Sequence, residues 1–342
     1  MVENVIHSNP LVSVLMPVYN GELYLNEAIK SILQQTYSNF EFLIINDGST
    51  DKSEHIVQSF NDPRIVYVNN EQNMGLIKTL NKGLDLVKGT YIARMDCDDI
   101  SLPLRIEKQI SFLENNTSYG LCGTQFCSLK NGKLLRKSLP CTNEDLKSWL
   151  LFKSPIAHPT VMLRSDVIKN NNFQYSQEFP SAEDFHLWTE FAKISKLANL
   201  PDVLLLYRIH RHQITQRLIS EKENSKLKNI LHYFEYIGIV PTSEQIEMHN
   251  LISDGKSKGE IEFLKNVNQW FVKIIEFNND HQKLDNTSLE KVLSVKWAMV
   301  CGNSGLGLKA WSIFKSSYFS IKCGTKVRLK LWIKIMLKHK KY

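Results

Sequence analysis

The stretch that decides the fold is VSVLMPVYNGELYLNEAIKSILQQTYSNFEFLIINDGSTD, residues 12–51. It contains an apolar run, VSVLMPV (12–18), then apolar residues at helical spacing in LYLNEAIKSILQQ (23–35), and then a second apolar run, FEFLIIN (40–46). This succession of strand, helix and strand predicts a βαβ unit with two parallel strands. Ser49 is the predicted N-cap of the helix that follows.

The same alternation continues to about residue 126. It predicts an α/β fold with a Rossmann-like, mostly parallel sheet flanked by helices. Between residues 143 and 209 strands and helices are mixed, and after about residue 215 helical patterns prevail. The further predicted elements are strands at 64–68, 90–95, 160–163 and 203–208, and helices at 76–87, 146–152 and 182–194.

The composition is that of a folded protein with more than one core. Of the 342 residues, 43% are hydrophobic and 23% are charged, which excludes a disordered chain. Because single cores stop growing near roughly 250–300 residues, we expect two parts. They are an α/β domain at residues 1–215 and a mainly helical region at 216–342 with a basic amphipathic end.

The basic character of the chain is confined to its C-terminal end. Of the net charge of +7, residues 322–342 supply +8, from eight Lys or Arg and no Asp or Glu, which leaves −1 for the rest. A nucleic-acid-binding protein would carry such charge on its folded domain, so no nucleic acid partner is expected. The end predicts an amphipathic helix, which fits either a membrane surface or packing on the preceding helices. Its basic residues are Lys326, Lys330, Lys334 and Lys338, and its apolar residues are Leu331, Trp332, Ile335 and Met336.

The cysteines and the first residues predict the compartment. The six cysteines have neither CxxC spacing nor the density of a disulfide scaffold, so we expect reduced thiols. Glu3 precedes the first apolar run without a basic stretch, which argues against a signal peptide. No stretch reaches the roughly 20 apolar residues that cross a bilayer. We expect a cytoplasmic protein, peripheral on the cytoplasmic face of the inner membrane if the basic end binds lipid.

Three polar clusters follow predicted strands, at Tyr19–Asn20, Asp47–Asp51 and Asp96–Asp99. Each cluster alone is ordinary turn chemistry. In doubly wound sheets, however, ligands bind outside the carboxyl ends of the strands, where these three clusters should converge.

The last cluster, RMDCDD (94–99), places three carboxylates within four residues. Such carboxylates repel one another unless a cation, hydrogen-bond donors or solvent compensates them. Oxygen ligands without a zinc-type Cys/His cluster favour Mg²⁺ or Mn²⁺, which commonly bridge carboxylates to a diphosphate. The alternative is an acidic turn before a helix that starts at Pro103. We expect the side chain of Cys97 to pack inward.

Four motifs follow one another along the chain: PVYNGELYLNEAIKSILQQTYSNFEFLIINDGSTD, NMGLIKTLNKGLDLVKGTYIARMDCDD, HPTVMLRSD and AEDFHLW. In this order they resemble the inverting glycosyltransferases of family 2, which have a GT-A fold. The resemblance covers about residues 11–215 and implies that this region is the nucleotide-sugar-binding catalytic domain.

The resemblance also implies a donor site. Asp47 matches the acid that reads the nucleobase, and Tyr19 matches a position that lines the base; Asn46 stands where many members carry an acid. A carboxylate can accept the imide N–H of uracil, which favours UDP. Arg94 either pairs with Asp96 or touches phosphate. The residues implied for the nucleotide sugar are Pro17, Tyr19, Asn20, Asp47, Arg94, Asp96, Cys97 and Asp98.

For the metal, Mn²⁺ or Mg²⁺, the resemblance implies Asp98 and Asp96 of a DxD element together with His210 of YRIH, and Asp99 is a further candidate. For the base it implies Asp184, which opens a helix whose dipole helps to keep it ionised. Glu183 and His158 are further candidates near the acceptor. The alternative for Glu183 and Asp184 is that they are ordinary first-turn acids.

Together these features predict inverting transfer of a hexose or N-acetylhexosamine from a UDP-sugar to a hydroxyl of a saccharide or lipid-linked saccharide. The predicted setting is bacterial polysaccharide, O-antigen, lipooligosaccharide or capsule synthesis. One alternative is a nucleotidyltransferase, although PVYNGE lacks the basic, Gly-rich segment that a triphosphate needs. Another is a non-catalytic protein that binds sugar nucleotides or nucleic acid.

Overall fold

A computed structural model describes residues 9–210 and 219–339. Their contacts divide the described residues into two compact units. The first unit comprises residues 9–143, 154–210 and 219–229, and the second comprises residues 144–153 and 230–339. The units therefore differ from the predicted division at residue 215, because residues 144–153 pack with the C-terminal helices.

The first half of the first unit is a parallel sheet with three helices. Its strands are β1 (Val12–Val18), β2 (Phe40–Asn46), β3 (Ile65–Asn69) and β4 (Tyr91–Arg94), and its helices are α1 (Leu25–Leu33), α2 (Ser53–Gln58) and α3 (Leu76–Leu86). The order is β3-β2-β1-β4, all parallel. The chain thus steps outward from β1 to β3 and then returns to the other side of β1, which makes a switch point between β1 and β4.

The second half of this unit extends the sheet in the order β8-β6-β9-β5 beyond β4. β6 and β9 are parallel, whereas the other new pairs are antiparallel, including β7 on β6. The elements are β5 (Ile100–Ser101), α4 (Arg105–Asn115), β6 (Tyr119–Lys130), β7 (Lys133–Lys137), β8 (Met162–Arg164), α6 (Ser165–Asn170), α7 (Glu183–Ile194) and β9 (Lys196–Arg208), with a 3₁₀ turn at His158–Thr160. α5 (Asn143–Trp149) leads into the second unit.

Strand β1 is buried on both faces, as its continuous apolar run predicts. Val12, Val14 and Met16 belong to a core shared with α1 and α4. On the opposite face Leu15 meets Gly83 of α3, where a Cβ would lie only 2.4 Å from Leu15 Cδ1. With both faces covered, the carboxyl ends of the strands remain for a ligand.

The β2–α2 connection corrects one prediction. α2 begins at Ser53, so Ser49 does not cap it. Instead the Ser49 hydroxyl accepts a hydrogen bond from the backbone N–H of Asn20 at 3.0 Å. Asp51 Oδ1 accepts the N–H of Ser53 at 2.9 Å. Ser49 therefore joins two loops rather than starting a helix.

The second unit is helical, as predicted. Residues 144–153 are tied to it through the buried His249, whose Nε2 lies 2.7 Å from the carbonyl oxygen of Leu151, while Trp270 Nε1 donates to its Nδ1 at 3.1 Å. Within the described ranges no helix is both long and apolar enough to cross a bilayer. The helices are α8 (Ile219–Ile237, which starts in the first unit), α9 (Ser243–Ser253), α10 (Ile261–His281), α11 (Asn286–Asn303), α12 (Leu308–Ser316), α13 (Tyr318–Lys322) and α14 (Thr325–His339).

Helix α14 packs one side on the preceding helices, which is one of the two interpretations of the basic end. Leu331 and Ile335 are buried, and Leu331 lies against Gly302 of α11. Trp332 is 43% exposed, and Lys326, Lys330 and Lys334 are exposed. The side chain of Lys338 and residues 340–342 lie outside the described residues. One side of the helix is therefore packed, while the tryptophan and three lysines face solvent.

The close approach of Gly89 to β1 gives a test of the sheet. A Cβ at Gly89 would lie 2.5 Å from Ser13 N and 2.8 Å from the carbonyl oxygen of Leu11, which are backbone atoms that cannot rotate away. Gly89→Ala should therefore lower the free energy of unfolding by roughly 1–3 kcal/mol, as overpacking does, measured by urea unfolding. Lys88→Ala, at an exposed neighbour, should change it by less than about 0.5 kcal/mol. Equal stability of the two variants would contradict this packing.

Candidate active site

Three carboxylates meet where β4 ends. The oxygens that Asp96, Asp98 and Asp99 would offer to an ion lie within 4.8 Å of one another. Asp99 is 1% exposed; its Oδ1 accepts the N–H of Arg208 at 2.8 Å, and its Oδ2 has no partner among the described residues. Burial, and then the charges of Asp96 and Asp98, raise the pKa of Asp99 well above its ordinary value. An all-oxygen cluster with an unpartnered buried oxygen fits a hard divalent cation.

Arg94 places a positive charge against this cluster from inside the fold. Its side chain is 3% exposed, and Nη2 lies 2.5 Å from Asp96 Oδ1. Burial alone would lower the pKa of Arg94, but Asp96 outweighs it and the pKa is raised, so the guanidinium stays charged. Its Nε and Nη1 have no partner within the described chain. Of the two predicted roles, pairing with Asp96 is the one that the structure shows directly.

Strand β9 brings further groups to the same loop. His210 Nε2 lies 2.8 Å from Asp98 Oδ2, and Arg208 Nε donates to the carbonyl oxygen of Asp98 at 2.8 Å. The ring of Tyr24, just before α1, lies 4.5 Å from the Arg208 guanidinium and 4.7 Å from the His210 ring. His210 is therefore placed where it can share a cation with Asp98. Residues 211–218, which follow, are outside the described residues.

Asp47, at the end of β2, is buried rather than open to the crevice. It is 4% exposed, and its oxygens accept hydrogen bonds at 2.9 Å from the N–H groups of Met74 and Gly75 and from Asn70 Nδ2. The carboxylate thus fixes the loop before α3. Its role as reader of the nucleobase stays a prediction.

Hydrogen bonds to side chains join the β1–α1 and β2–α2 loops. Asn20, with φ of 51°, accepts the N–H of Thr50 on Oδ1 at 2.8 Å. Gly21 N donates to the Ser53 hydroxyl at 2.8 Å, and Glu22 N donates to Asp51 Oδ2 at 2.9 Å. The polar residues of NDGSTD therefore hold the first loop in place, and Asn20 is a structural part of that contact.

The remaining predicted donor residues differ in exposure. Tyr19 is 46% exposed and free to meet a ligand, whereas Pro17 is buried inside β1. Cys97 lies below the first loop, with Sγ 3.2 Å from where a Cβ on Gly21 would be. Burial and the neighbouring Asp98 raise the pKa of the Cys97 thiol. The inward packing predicted for Cys97 agrees with this position.

Helix α7 begins with the two predicted acids, directly after Ser181, whose φ of 62° is unusual for a residue other than glycine. Glu183 is buried, and burial together with Asp184 raises its pKa to about 7. Burial also raises the pKa of Asp184, although its Oδ1 accepts the N–H of Phe185 at 2.7 Å. The helix therefore begins with two adjacent acids, and the pKa of each is raised above its ordinary value.

His158 lies in a buried group that includes a residue the sequence did not reveal. Its Nε2 is 3.0 Å from the hydroxyl of Tyr175, and Tyr175 is held by Asn81 through a pair of hydrogen bonds at 2.8 Å. Burial, with the charge of Arg94, lowers the pKa of His158 well below its ordinary value, so the ring is neutral. Tyr175 belongs to no helical or strand pattern, so the sequence carries no signal for its role. Arg208, by contrast, is part of the YRIH motif, which could have indicated it.

The amino-acid sequence is similar to those of known glycosyltransferases. The model of glycosyl transferase family 2 matches residues 13–170. An uncharacterized glycosyltransferase of Haemophilus influenzae is 36% identical over 252 residues, which cover 67% of this chain and 76% of the relative. The amylovoran biosynthesis glycosyltransferase AmsE of Erwinia amylovora is 35% identical over 212 residues, which cover 60% of this chain and 79% of AmsE.

Solved structures share the fold. S. aureus TarS in complex with UDP-GlcNAc is similar with a TM-score of 0.58 at 17% identity, over 91% of this chain and 90% of that one. The mannosyltransferase PcManGT from Pyrobaculum calidifontis, in complex with GDP-Man and Mn²⁺, has a TM-score of 0.52 at 13% identity, over 98% of this chain and 87% of that one. The α/β fold is thus of the GT-A type, and the chain belongs to glycosyl transferase family 2, with relatives in polysaccharide biosynthesis.

Proposed function

We propose that the protein is an inverting glycosyltransferase that moves a sugar from a UDP-sugar to an acceptor hydroxyl. The observation that carries this proposal is the all-oxygen carboxylate cluster after β4, in a chain that belongs to a glycosyltransferase family. After burial and Asp184, the charge of Asp96 also raises the pKa of Glu183, so the start of α7 is within electrostatic reach of this cluster. A nucleotidyltransferase is disfavoured because the chain belongs to a glycosyltransferase family.

The donor we propose carries a hexose or N-acetylhexosamine on UDP. TarS, which shares the fold, binds UDP-GlcNAc, and this supports a UDP-sugar here. The exposed Tyr19 would line the base. Asp47 is bonded to the loop before α3. Each oxygen of a carboxylate can accept more than one hydrogen bond, so the bonded Asp47 retains capacity for the uracil imide.

The cofactor we propose is Mn²⁺ or Mg²⁺, held by Asp96, Asp98 and Asp99 with His210. Support comes from the spacing of the carboxylates, all within 4.8 Å, and from the Mn²⁺ in PcManGT. When bound, the cation supplies charge neutralisation to the departing diphosphate. Burial raises the pKa of Asp96 and Arg94 opposes that rise, and the ion pair would hold the Asp96 carboxylate in place beside the cation.

The base we propose is Asp184. It takes the proton of the acceptor hydroxyl while that oxygen bonds to the anomeric carbon and the bond from this carbon to the diphosphate oxygen breaks. A single displacement from the opposite face inverts the configuration. The raised pKa of Asp184 makes it a stronger base than an ordinary aspartate. Glu183, with a pKa of about 7, is only partly ionised near neutral pH, so the pair carries less than two full negative charges.

The acceptor we propose is a saccharide or lipid-linked saccharide in the synthesis of a bacterial surface polysaccharide, O-antigen, lipooligosaccharide or capsule. AmsE, a relative, belongs to amylovoran biosynthesis. We also propose a cytoplasmic location with peripheral contact to the inner membrane through residues 322–342. The exposed Trp332 and lysines of α14 support this contact.

A screen of UDP-sugars for slow hydrolysis, with and without Mn²⁺, tests the proposal. One UDP-sugar should be hydrolysed in a metal-dependent manner, and the same donor should support transfer to an acceptor. Failure with every UDP-sugar but turnover of GDP- or dTDP-sugars would refute the UDP assignment. Binding without turnover of any donor would favour a non-catalytic protein.

Asp98→Ala should abolish transfer without loss of the fold, because a carboxylate at a strand end adds little packing. Mn²⁺ binding by electron paramagnetic resonance and the transfer rate should fall together. Asp85→Ala, which removes an exposed acid of α3, is the control and should behave like the wild type. Unchanged turnover of Asp98→Ala, or full activity in excess EDTA, would refute the metal site.

Asp184→Asn should keep donor affinity nearly unchanged while transfer falls by roughly 10²–10⁴-fold, the usual contribution of a general base. The matched control is Asp166→Asn. Asp166 is also the second residue of a helix, and its Oδ1 accepts the next N–H at the same 2.7 Å. Loss of at most about 1 kcal/mol of helix-dipole stabilisation is expected there, with normal transfer. Near wild-type transfer by Asp184→Asn would shift the base to Glu183 or His158.

Glu183→Gln should raise stability most at alkaline pH. Because the pKa of Glu183 is raised to about 7 from 4.5, its contribution is fully present below about pH 4.5 and is lost as pH rises through 7. The variant does not ionise, so its gain in free energy of unfolding over the wild type should be larger at pH 8 than at pH 5, by at most about 3 kcal/mol. Thermal unfolding in EDTA measures this, and an equal or opposite difference would show that Glu183 ionises normally.

A further inference from the structure

The β6–β7 hairpin exposes apolar and basic side chains together. Leu134 and Leu135 are 58% and 61% exposed, and because successive strand residues point to opposite faces, each side of β7 carries a leucine. Between residues 115 and 143 the chain has four basic residues and no acidic one. These basic residues are Lys130, Lys133, Arg136 and Lys137, all of them wholly or partly exposed.

Protection of a sheet edge explains only part of this surface. Among the described strands β7 pairs with β6 alone, and lysines are common on such edges because they prevent pairing with other chains. Two adjacent exposed leucines have the opposite effect, since exposed apolar side chains on an edge strand favour association with other molecules. None of the four cations forms an ion pair with a carboxylate of the described residues. A partner that covers the leucines and also pairs with the cations would account for the whole of this surface.

The hairpin is rigid and lies at the same end of the sheet as the active site. Asn131 and Gly132 have φ of 49° and 74°, as in the tight two-residue turns that match the twist of a hairpin. Close to this turn, Leu129 pairs with Arg208 of β9, and Ile209 N donates to the Leu129 carbonyl oxygen at 2.9 Å. Since Arg208 Nε also bonds to the carbonyl oxygen of Asp98 at 2.8 Å, the hairpin is connected directly to the carboxylate loop.

We propose that the β6–β7 hairpin docks the first unit on an anionic phospholipid surface, with the two leucines in the interfacial layer and the four cations at the lipid phosphates. Cations near such a surface are attracted by its negative potential, and the leucines leave water only if the partner offers an apolar layer. A soluble polyanion would neutralise the cations but leave the leucines exposed. The inference rests on the proposed function only in expecting an acceptor at a membrane.

Binding to vesicles tests the hairpin without donor or acceptor, so its outcome is separate from that of the proposed function. The full chain is sedimented with vesicles of phosphatidylcholine alone or mixed with phosphatidylglycerol. The variants are Leu134→Gln/Leu135→Gln, Lys133→Glu/Arg136→Glu, and Lys326→Glu/Lys330→Glu in α14. Leu86→Gln, at an exposed leucine of α3 that is 42% exposed, is the control. Hydrogen exchange over residues 125–140 reports local contact.

We expect binding to the anionic vesicles, slower exchange in the hairpin on binding, and a partition coefficient at least about tenfold lower for both hairpin variants, with Leu86→Gln unchanged. Wild-type binding by the leucine variant, with loss only in the α14 variant, would overturn the proposal. So would hairpin protection by a soluble polyanion such as heparin but not by vesicles, or the absence of any vesicle binding by the wild type.

Discussion

Repulsion among the carboxylates of Asp96, Asp98 and Asp99 is the constraint on which the site depends. Acids whose oxygens lie within 4.8 Å cannot all be ionised without compensation. Arg94 supplies a fixed charge from inside the sheet, and β9 brings Arg208 and His210 from the other side. The remaining negative charge would attract a divalent cation, and this cation would in turn bind a nucleoside diphosphate.

The topology of the sheet explains why these groups meet. The strand order places a switch point between β1 and β4, and in doubly wound sheets the loops that follow such strands flank the ligand. Ser49 and Asp51 of NDGSTD, together with Ser53, then fix the first loop, and the buried Asp47 fixes the loop before α3. Much of the polar character of the second cluster therefore builds the walls of the crevice. Of the predicted donor residues near β1, Tyr19 and Asn20 are exposed, whereas Pro17 and Asp47 are buried.

The sequence predicted the parts of the fold that follow from local pattern. Strands β1 and β2 have the bounds that their apolar runs indicated, and the carboxylates after β4 lie together as their spacing suggested. The sequence could not predict contacts between residues that are distant along the chain. Ser49 accepts from Asn20 instead of capping α2 because the neighbouring loop offers a donor, and Tyr175 reaches His158 from an irregular loop. In α14 the same helix packs Leu331 and exposes Trp332, so the predicted packing on the preceding helices is observed, while contact with a membrane stays a prediction.

The two acids at the start of α7 influence each other's ionisation. Burial raises the pKa of both, and the charge of Asp184 raises that of Glu183 further, so the pair holds a second negative charge less readily than the first. With Asp184 as the proposed base, transfer would be a single displacement that inverts the anomeric configuration. The most direct measurement is therefore proton NMR of the anomeric centre in the glycoside formed from an α-linked UDP-sugar. A β-linked product agrees with this account, and an α-linked product would contradict it.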